Sequence, residues 1–296
     1  MPSICLTRRE ARAKAAPMSS DHTIEPRRSA RSAKQSGGVA ETARFMLLLF
    51  LFALLLRSLI VAPFNIPSGS MLPRMMIGDY LFVAKWPYGY SRYSFPFNAI
   101  PIDGRLFGSA AERGDVVVFR YPGSDADYVK RLIGLPGDVV QMRGGTLFLN
   151  GEQVPKTRLA DYLMPITRNS PCRTVTPAAA RVVSGDDGTR FCAYPRYRET
   201  LPGGRSYAVL EQGSGPGDDT APLVVPAGHY FMMGDNRDDS EDSRFARDVG
   251  GVGFLPADHL IGRALITFFS TDGSASWLKP WTWIAATRWD RIGGTY

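Results

Sequence analysis

Two serines stand close together between two prolines in the segment Pro67 to Pro73. Proline fixes its own backbone angle and lacks an amide donor, so this composition favours a rigid bend over a helix or a central strand. A hydroxyl on such a bend is presented rather than packed, which makes Ser70 or Ser68 a candidate nucleophile. A free serine attacks a carbonyl group only if a base removes its proton.

The usual base, histidine, is scarce in this chain. The three histidines are His22, His229 and His259. His22 precedes a long apolar run and is expected in a different compartment. A lysine can replace histidine if burial lowers its pKa and so favours the neutral amine. We therefore expect the base to be a lysine.

Lys130 fits this requirement because it lies inside an apolar, strand-like run, Asp127 to Leu135. Alternation in a strand places Tyr128 and Lys130 on one face and their neighbours on the other, so Lys130 is expected to point inward and Arg131 outward. Lys85 stands at the end of another run and is expected to be solvated.

A polar segment, Gly234 to Arg244, follows the apolar run His229–Met233. Such a segment is usually a solvated turn. Its many small hydrogen-bonding side chains could also hold a lysine amine through a hydroxyl and brace a site with an Asp/Arg ion pair. The sequence has no CxxC or HExxH pattern and few histidines, so we expect neither a metal nor a cofactor.

The element that must position these segments first is the long apolar run Phe45 to Phe64. Its length matches the roughly 20 residues that cross a bilayer as a helix. Its single charge, Arg57, lies near the outer end, where a long side chain reaches the interface.

Most of the net charge of +7 precedes this run, because residues 1–44 hold nine Lys or Arg against four acids. A basic tail keeps the N-terminus in the cytoplasm, and we prefer this interpretation to nucleic-acid binding. The tail has no apolar periodicity and is expected to be disordered. A cleavable signal peptide competes with an uncleaved anchor, but the basic region is long and no small-x-small site follows the run.

Beyond the run the pattern predicts a mainly β fold, an antiparallel all-β catalytic body. Asn150-Gly151 joins two short runs and predicts a hairpin. A second hairpin is expected around Leu201 to Gly204. The other expected strands are Asp79–Ala84, Asp115–Arg120, Leu223–Val225, His229–Met233 and Ala264–Phe269.

The predicted organisation has five parts. They are a basic disordered cytoplasmic tail (1–44), a single transmembrane signal anchor (45–64), a catalytic β core (65–154 and 226–270), an inserted β/loop lobe (155–225) and a Trp-rich C-terminal tail (271–296). Cys172 and Cys192 lie in the lobe, on the exported side, where a disulfide can persist, but spacing does not decide between a disulfide and two thiols. For the tail, contact with the membrane interface and packing against the β body both stay open.

The sequence resembles the bacterial type I signal peptidases, membrane-bound serine-lysine proteases that remove signal peptides. The resemblance covers about Arg57 to Phe269, and its signatures occur in the family's order. They are Pro67–Pro73 with Ile77–Asp79, Gly114–Phe119, Tyr128–Arg131 with Gly134–Asp138, and Gly234–Ser240 with Asp242–Arg244.

The resemblance implies a role for each site residue. Ser70 would be the nucleophile and Lys130 the general base, and the Ser68 hydroxyl with the Ser70 N–H would form the oxyanion hole. Ser240 would orient the amine, and Asp242 and Arg244 would support the site as an ion pair. The residues implied for substrate binding are Met71, Leu81, Val118, Tyr128 and Val129. Asp239 departs from the family, in which Asn is common at this place.

The implied function is cleavage of exported preproteins after small residues of the Ala-x-Ala type, through an acyl-enzyme. The expected partners are preproteins and membrane lipid, with no nucleic acid, and the chain is expected to be a monomer. The expected location is the bacterial cytoplasmic membrane, with one span and the catalytic domain on the exported, periplasmic side. Two alternatives stay open: a related Ser/Lys processing peptidase of the same fold, and a non-enzymatic membrane-anchored binding domain.

Overall fold

The computed structural model describes residues 38–98, 100–174 and 181–296. Most of the predicted basic tail, residues 1–37, lies outside this part of the chain, so its expected disorder stays a prediction.

Helix α1 covers Val39–Leu59. Its 21 residues span about 30 Å at the usual rise, and it is long and apolar enough to cross a membrane. Glu41 in the first turn and Arg57 in the last turn each suit the helix dipole. The helix starts before residue 45, the expected first residue of the span, and ends before residue 64, the expected last residue. The residues after Leu59 form a strand instead, because Pro63 lacks the N–H that a helix interior requires.

Fifteen strands follow in the described chain. They are β1 Val61–Asn65, β2 Asp79–Ala84, β3 Val116–Arg120, β4 Asp127–Gly134, β5 Val139–Arg143, β6 Thr146–Leu149, β7 Glu152–Gln153, β8 Lys156–Pro165, β9 Arg181–Ser184, β10 Arg190–Thr200, β11 Ser206–Leu210, β12 Leu223–Val224, β13 His229–Met233, β14 Leu255–Pro256 and β15 Leu260–Ser270. A short helix α2, Thr282–Ala286, lies near the C-terminus.

The strands form three sheets in which every pairing is antiparallel, as the sequence predicts. The largest has seven strands in the order β1-β2-β15-β3-β4-β13-β14. A second sheet contains β11, β10 and β8, with β9 on β10, and a third contains β12, β5, β6 and β7. The fold is therefore mainly β, and one apolar helix precedes it.

Both predicted hairpins are confirmed. Asn150 and Gly151 both adopt positive φ values, 54° and 85°, and connect β6 to β7. Two residues with positive φ form the tight turn that matches strand twist, which explains the Asn-Gly pair. The second turn, at Leu201 to Gly204, connects β10 to β11.

The stretch after Pro155 is more regular than its sequence indicates. It contains β8 and β10, with 10 and 11 residues, which pair along most of their length. Strand β8 buries only Met164 fully, so it lacks the apolar alternation that sequence patterns detect.

The core below the candidate site is formed by the seven-stranded sheet and the segment between β1 and β2. Its fully buried members pack as one cluster. They are Ile66, Met71, Met75, Leu81, Val83, Val116, Val118, Ile261 and Ala264. Burying a side chain of this size contributes roughly 1.5–3 kcal/mol, so this cluster fixes the segment that carries Ser70.

Candidate active site

Ser70 and Lys130 meet although 60 residues separate them. The Nζ atom of Lys130 donates a hydrogen bond to the Ser70 Oγ at 2.6 Å. Lys130 lies in the middle of β4, opposite Val117 of β3, and only 4% of its surface is exposed. Ser70, at 6% exposure, lies in the segment between β1 and β2.

Burial lowers the pKa of Lys130 from 10.5 to about 8. The negative charge of Asp242 acts in the opposite direction, and the positive charge of Arg244 adds to the lowering. The amine therefore loses its proton much more readily than a lysine in water, which is the property that a general base needs.

The segment around Ser70 is held from two sides. Met71 and Met75 anchor it in the core, and the Met75 N–H donates to the Met71 carbonyl at 2.9 Å. On the other side Asn236 donates its backbone N–H to the Ser70 carbonyl and its side-chain amide to the Gly69 carbonyl, both at 3.0 Å. The sequence does not single out Asn236, because it lies in the polar segment among many similar residues.

Gly234 explains part of that segment's pattern. A Cβ atom at this position would lie 2.2 Å from the Ser240 Oγ and 2.6 Å from the Ser70 carbonyl oxygen. Only glycine fits such a close approach of two chain segments. A glycine at the start of the polar segment therefore indicates that another part of the chain approaches closely. The sequence does not identify Ser70 as that part.

The structure brings Ser68 and Ser240 to the same place with different contacts. The Ser68 Oγ lies 3.3 Å from the Ser70 Oγ. Ser240 lines the same cavity as Lys130, but its buried Oγ has no hydrogen-bond partner among the described residues. The expected contact between this hydroxyl and the Lys130 amine is thus not made here, and its role stays a prediction.

Asp242 and Arg244 form a buried, two-pronged ion pair, with both nitrogen–oxygen distances at 2.9 Å. Asp242 also accepts the Gly234 N–H at 2.9 Å. Burial alone would raise the pKa of Asp242, but the charge of Arg244 and these hydrogen bonds outweigh it and hold the pKa below its usual range. The pair fixes the polar segment against the end of β13, beside the dyad.

A cavity of about 590 Å³ opens at Ser70 and Lys130. Val118, Tyr128 and Val129 line it, and their contact with substrate stays a prediction. Met71 and Leu81 do not line it: both are fully buried in the cluster that also contains Val118. They pack behind Val118, which lines the cavity, in the same buried cluster.

The expectation for Arg131 is wrong. Its side chain points away from Lys130, as alternation requires, but it is buried and forms a double hydrogen bond with Asp235 at 2.8 and 2.6 Å. Strand alternation correctly separates the two side chains. The prediction that Arg131 is exposed is wrong because other elements cover both faces of β4.

The expectation that Lys85 is solvated is also wrong. Lys85 is 5% exposed and donates to the Ser94 carbonyl oxygen. Burial lowers its pKa to about 8, the same value as for Lys130. A lowered pKa therefore does not by itself identify the base, and the contact with Ser70 distinguishes Lys130.

The two cysteines are joined in a disulfide, with a Cα–Cα distance of 5.4 Å. Arg173, the next residue, reaches the dyad's cavity and pairs with Asp239 at 3.2 Å. The stretch expected as an inserted lobe therefore contributes a charged residue to the rim, which the sequence did not predict. Neither the disulfide pairing nor this ion pair follows from spacing alone.

Comparison with known proteins gives consistent matches. The family described as "Signal peptidase, peptidase S26" matches residues 39–269. Signal peptidase I of Rickettsia typhi (strain ATCC VR-144 / Wilmington) is 36% identical over 263 residues, which cover 81% of this chain and 87% of that protein. Signal peptidase I of Rickettsia conorii (strain ATCC VR-613 / Malish 7) is 35% identical, with coverages of 81% and 86%.

A solved structure of a signal peptidase I from Enterococcus faecalis V583 aligns with 52% of this chain and 97% of that chain. The sequence identity is 26% and the TM-score is 0.27, which is too low for the superposition to add to the description of the fold.

Proposed function

Because the chain belongs to the signal peptidase S26 family of serine endopeptidases, we propose that it removes N-terminal signal peptides from exported preproteins. Ser70 acts as the nucleophile and Lys130 as the general base in this proposal. The observation that carries this proposal is the 2.6 Å contact between the Lys130 amine and the Ser70 hydroxyl in a cavity open to a substrate.

The first step is attack on the scissile carbonyl. Neutral Lys130 accepts the Ser70 proton while the Ser70 oxygen bonds to the carbonyl carbon and the carbonyl oxygen becomes an oxyanion. With a pKa of about 8, roughly a tenth of the amine is neutral at pH 7. The bound peptide excludes further water and increases that fraction.

The oxyanion is stabilised by the Ser68 hydroxyl and the Ser70 N–H. The Ser68 Oγ already lies beside the nucleophile, at 3.3 Å from the Ser70 Oγ. The protonated Lys130 then gives its proton to the leaving amine, and the C–N bond breaks to leave an acyl-enzyme on Ser70. The Lys130 amine, again neutral, takes a proton from water while the water oxygen bonds to the acyl carbon. The Lys130 ammonium returns this proton to the Ser70 oxygen as the ester C–O bond breaks, and the released acid ionises to a carboxylate.

Ser240 positions the Lys130 amine for these transfers. Its Oγ is buried in the cavity wall and has no partner among the described residues. A buried hydroxyl without a partner costs free energy. A small rotation that lets it accept a hydrogen bond from the Lys130 ammonium removes this cost when the lysine carries the proton.

Small side chains before the cleaved bond suit the cavity wall. Val118, Tyr128 and Val129 lie beside the dyad, and Ile66 and Phe64 extend the apolar lining. These branched and aromatic side chains give the wall beside Ser70 an apolar surface. We therefore assign specificity of the Ala-x-Ala type, with alanine or a similarly small residue in each pocket.

We infer that α1 anchors the enzyme in the bacterial cytoplasmic membrane, with the N-terminus in the cytoplasm and the catalytic domain on the periplasmic side. The apolar helix and the basic residues before it support this orientation. The Cys172–Cys192 disulfide supports it independently, because disulfides persist in exported domains and are rare in the cytoplasm.

The C-terminal tail supplies a second contact with lipid. Its exposed apolar side chains are Trp277, Leu278, Trp281, Ile284, Trp289 and Ile292. Trp283 instead packs against Phe269 of β15, with ring centroids 6.3 Å apart. Tryptophan favours the boundary between lipid and water, so the tail combines packing on the β body with contact to the membrane surface. The chain acts as a monomer in this arrangement.

Cleavage of a preprotein in detergent tests the proposal. Ser70→Ala and Lys130→Met are expected to reduce kcat/KM by roughly 10⁴-fold or more. Lys85→Met is the matched control, because Lys85 is also buried with a pKa of about 8 but bonds to Ser94. All variants should retain the wild-type circular dichroism spectrum. Retention of cleavage by Lys130→Met, or equal loss in Lys85→Met, would refute the assignment of the base.

A further inference from the structure

A second cavity, of about 510 Å³, lies behind the dyad and is unusually rich in arginine. We call it the arginine cleft. Its lining combines residues of the seven-stranded sheet with residues of the sheet formed by β8, β10 and β11. The arginines that line it are Arg74, Arg131, Arg196, Arg205 and Arg263, and the one acid in the lining is Asp115.

Nearby carboxylates neutralise only part of this charge. Asp235 engages Arg131, and Asp115 pairs with Arg205 at 2.7 Å. The partially exposed Arg263 lies 3.9 Å from the same Asp115 oxygen atom and shares it. With Glu112, which contacts Arg205 at 3.3 Å, three side-chain carboxylates face five guanidinium groups.

Two of the arginines have only neutral partners among the described residues. Arg74 donates to the Thr295 carbonyl oxygen, and Arg196 donates to the Ala160 carbonyl oxygen at 3.0 Å. Tyrosine rings line the walls and hold the guanidinium groups in place. Arg131 lies 4.1 Å from the ring centroid of Tyr207. The cleft therefore presents fixed N–H donors and excess positive charge on a concave surface.

Such a surface attracts an anion whose acceptors point in several directions. A carboxylate offers two oxygens in one plane. A phosphate group offers at least two charged or partly charged oxygens in a tetrahedral arrangement, and arginine binds it with paired hydrogen bonds. The donors here come from a loop and from strands of two sheets, which matches the tetrahedral group better.

We propose that the arginine cleft binds a phosphate group, carried by a free phosphate compound or by the headgroup of an anionic phospholipid. The two sources share the same recognition chemistry. The proposal does not depend on the proposed function, because none of the five arginines contacts Ser70 or Lys130 in the described structure.

The cleft nevertheless touches both segments that carry the dyad. Pro73 and Arg74 follow Ser70 in the same bend, and Arg131 follows Lys130 in β4. A ligand bound to Arg74 therefore reinforces the segment that carries Ser70, while Arg131 stays bonded to Asp235 and to the Gly114 carbonyl oxygen. Its occupancy is expected to stabilise the protein against heat.

Binding is tested with the full-length chain by calorimetry, using sodium phosphate and glycerol 1-phosphate against sodium chloride of equal ionic strength. A second arm uses nanodiscs of phosphatidylcholine with and without phosphatidylglycerol and records the unfolding temperature. The variant Arg196→Gln/Arg263→Gln removes two donors that lie outside the tightest ion pairs. The control Arg190→Gln/Arg198→Gln removes two exposed arginines of β10 that do not line the cleft.

Each lost charged hydrogen bond is expected to weaken binding roughly tenfold, so the cleft variant should bind about 100-fold more weakly than the wild type and the control. Binding of the soluble phosphates identifies a free phosphate compound as the ligand. Stabilisation by phosphatidylglycerol alone identifies a lipid headgroup. Absence of binding in both arms, or equal binding by the cleft variant and the wild type, would overturn the proposal.

Discussion

Two neighbouring cations on opposite faces of β4 have pKa values shifted in opposite directions. Lys130 faces the cavity at Ser70, where its amine bonds to no other described group than the Ser70 hydroxyl, and burial lowers its pKa to about 8. Arg131 faces the other side, where the attraction of Asp235 outweighs burial and raises the pKa of the guanidinium. Both residues are more than nine-tenths buried. The partner of a buried cation, and not its burial alone, therefore decides whether its pKa falls or rises.

The largest expected effect comes from breaking the structural face. Asp235→Ala leaves Arg131 buried without a counter-charge, which should reduce the free energy of unfolding by roughly 3–5 kcal/mol. Chemical denaturation at pH 7 measures it. The double variant Asp235→Ala/Arg131→Met should recover most of the loss, because no unpaired charge is left. If the single variant is as stable as the wild type, the two faces do not differ in the way we describe.

On the catalytic face, Ser68→Ala removes one donor beside the nucleophile. Loss of such a donor typically lowers kcat by roughly 10²- to 10³-fold. KM and the unfolding temperature should change little, since the Ser68 hydroxyl contacts only Ser70 among the described residues. Ser124→Ala, at an exposed turn, is the matched control. A decrease in kcat of less than threefold would mean that Ser68 is not part of the oxyanion hole.

Lys130→Met tests the lowered pKa of Lys130 through the pH dependence of the free energy of unfolding. The pKa of Lys130 is about 8 when folded and near 10.5 when unfolded, so between these values the unfolded chain binds more protons and stability rises with pH. The wild type should therefore gain about 3 kcal/mol relative to Lys130→Met between pH 7 and pH 11. Lys85 and Lys156 titrate in both proteins, so their contributions cancel in the difference. Parallel stability curves would show that the folded pKa is not lowered.

The smallest effect concerns the rim pair. Asp239 attracts the Lys130 ammonium, and Arg173 offsets Asp239 at 3.2 Å. The other charges that face the amine, Asp242, Arg244 and Glu241, stay in place. Asp239→Asn should move the acidic limb of the kcat/KM profile to lower pH, and Arg173→Gln should move it to higher pH, each by less than about one pH unit. Shifts in the same direction would contradict this account.

The sequence predicted the parts of the fold that depend on local chemistry. The Asn150-Gly151 hairpin follows from two residues that tolerate positive φ. The segments that carry Ser70 and Lys130 follow from a proline-bounded bend and an apolar strand. Helix α1 was predicted with different ends, because its polar first turn and the strand-forming Val61 to Asn65 lie at the limits of the apolar run.

The sequence could not predict features that depend on distant partners. Arg131 and Lys85 are polar, and only the elements that cover them decide that both are buried. Asn236 is one of several similar residues in its segment, and its contact with Gly69 joins positions 167 apart. Arg173 enters the site through a stretch whose strands bury little and so lack a clear pattern.

The clamp that Asn236 forms on Gly69 and Ser70 also sets an order of events for a newly made chain. The chain is synthesised from its N-terminus, so Ser70 is made long before residue 236. A nascent chain that still lacks its last third has no Asn236 to hold the Gly69 and Ser70 carbonyl groups. We therefore expect the proposed peptidase activity to appear only when most of the chain has been made.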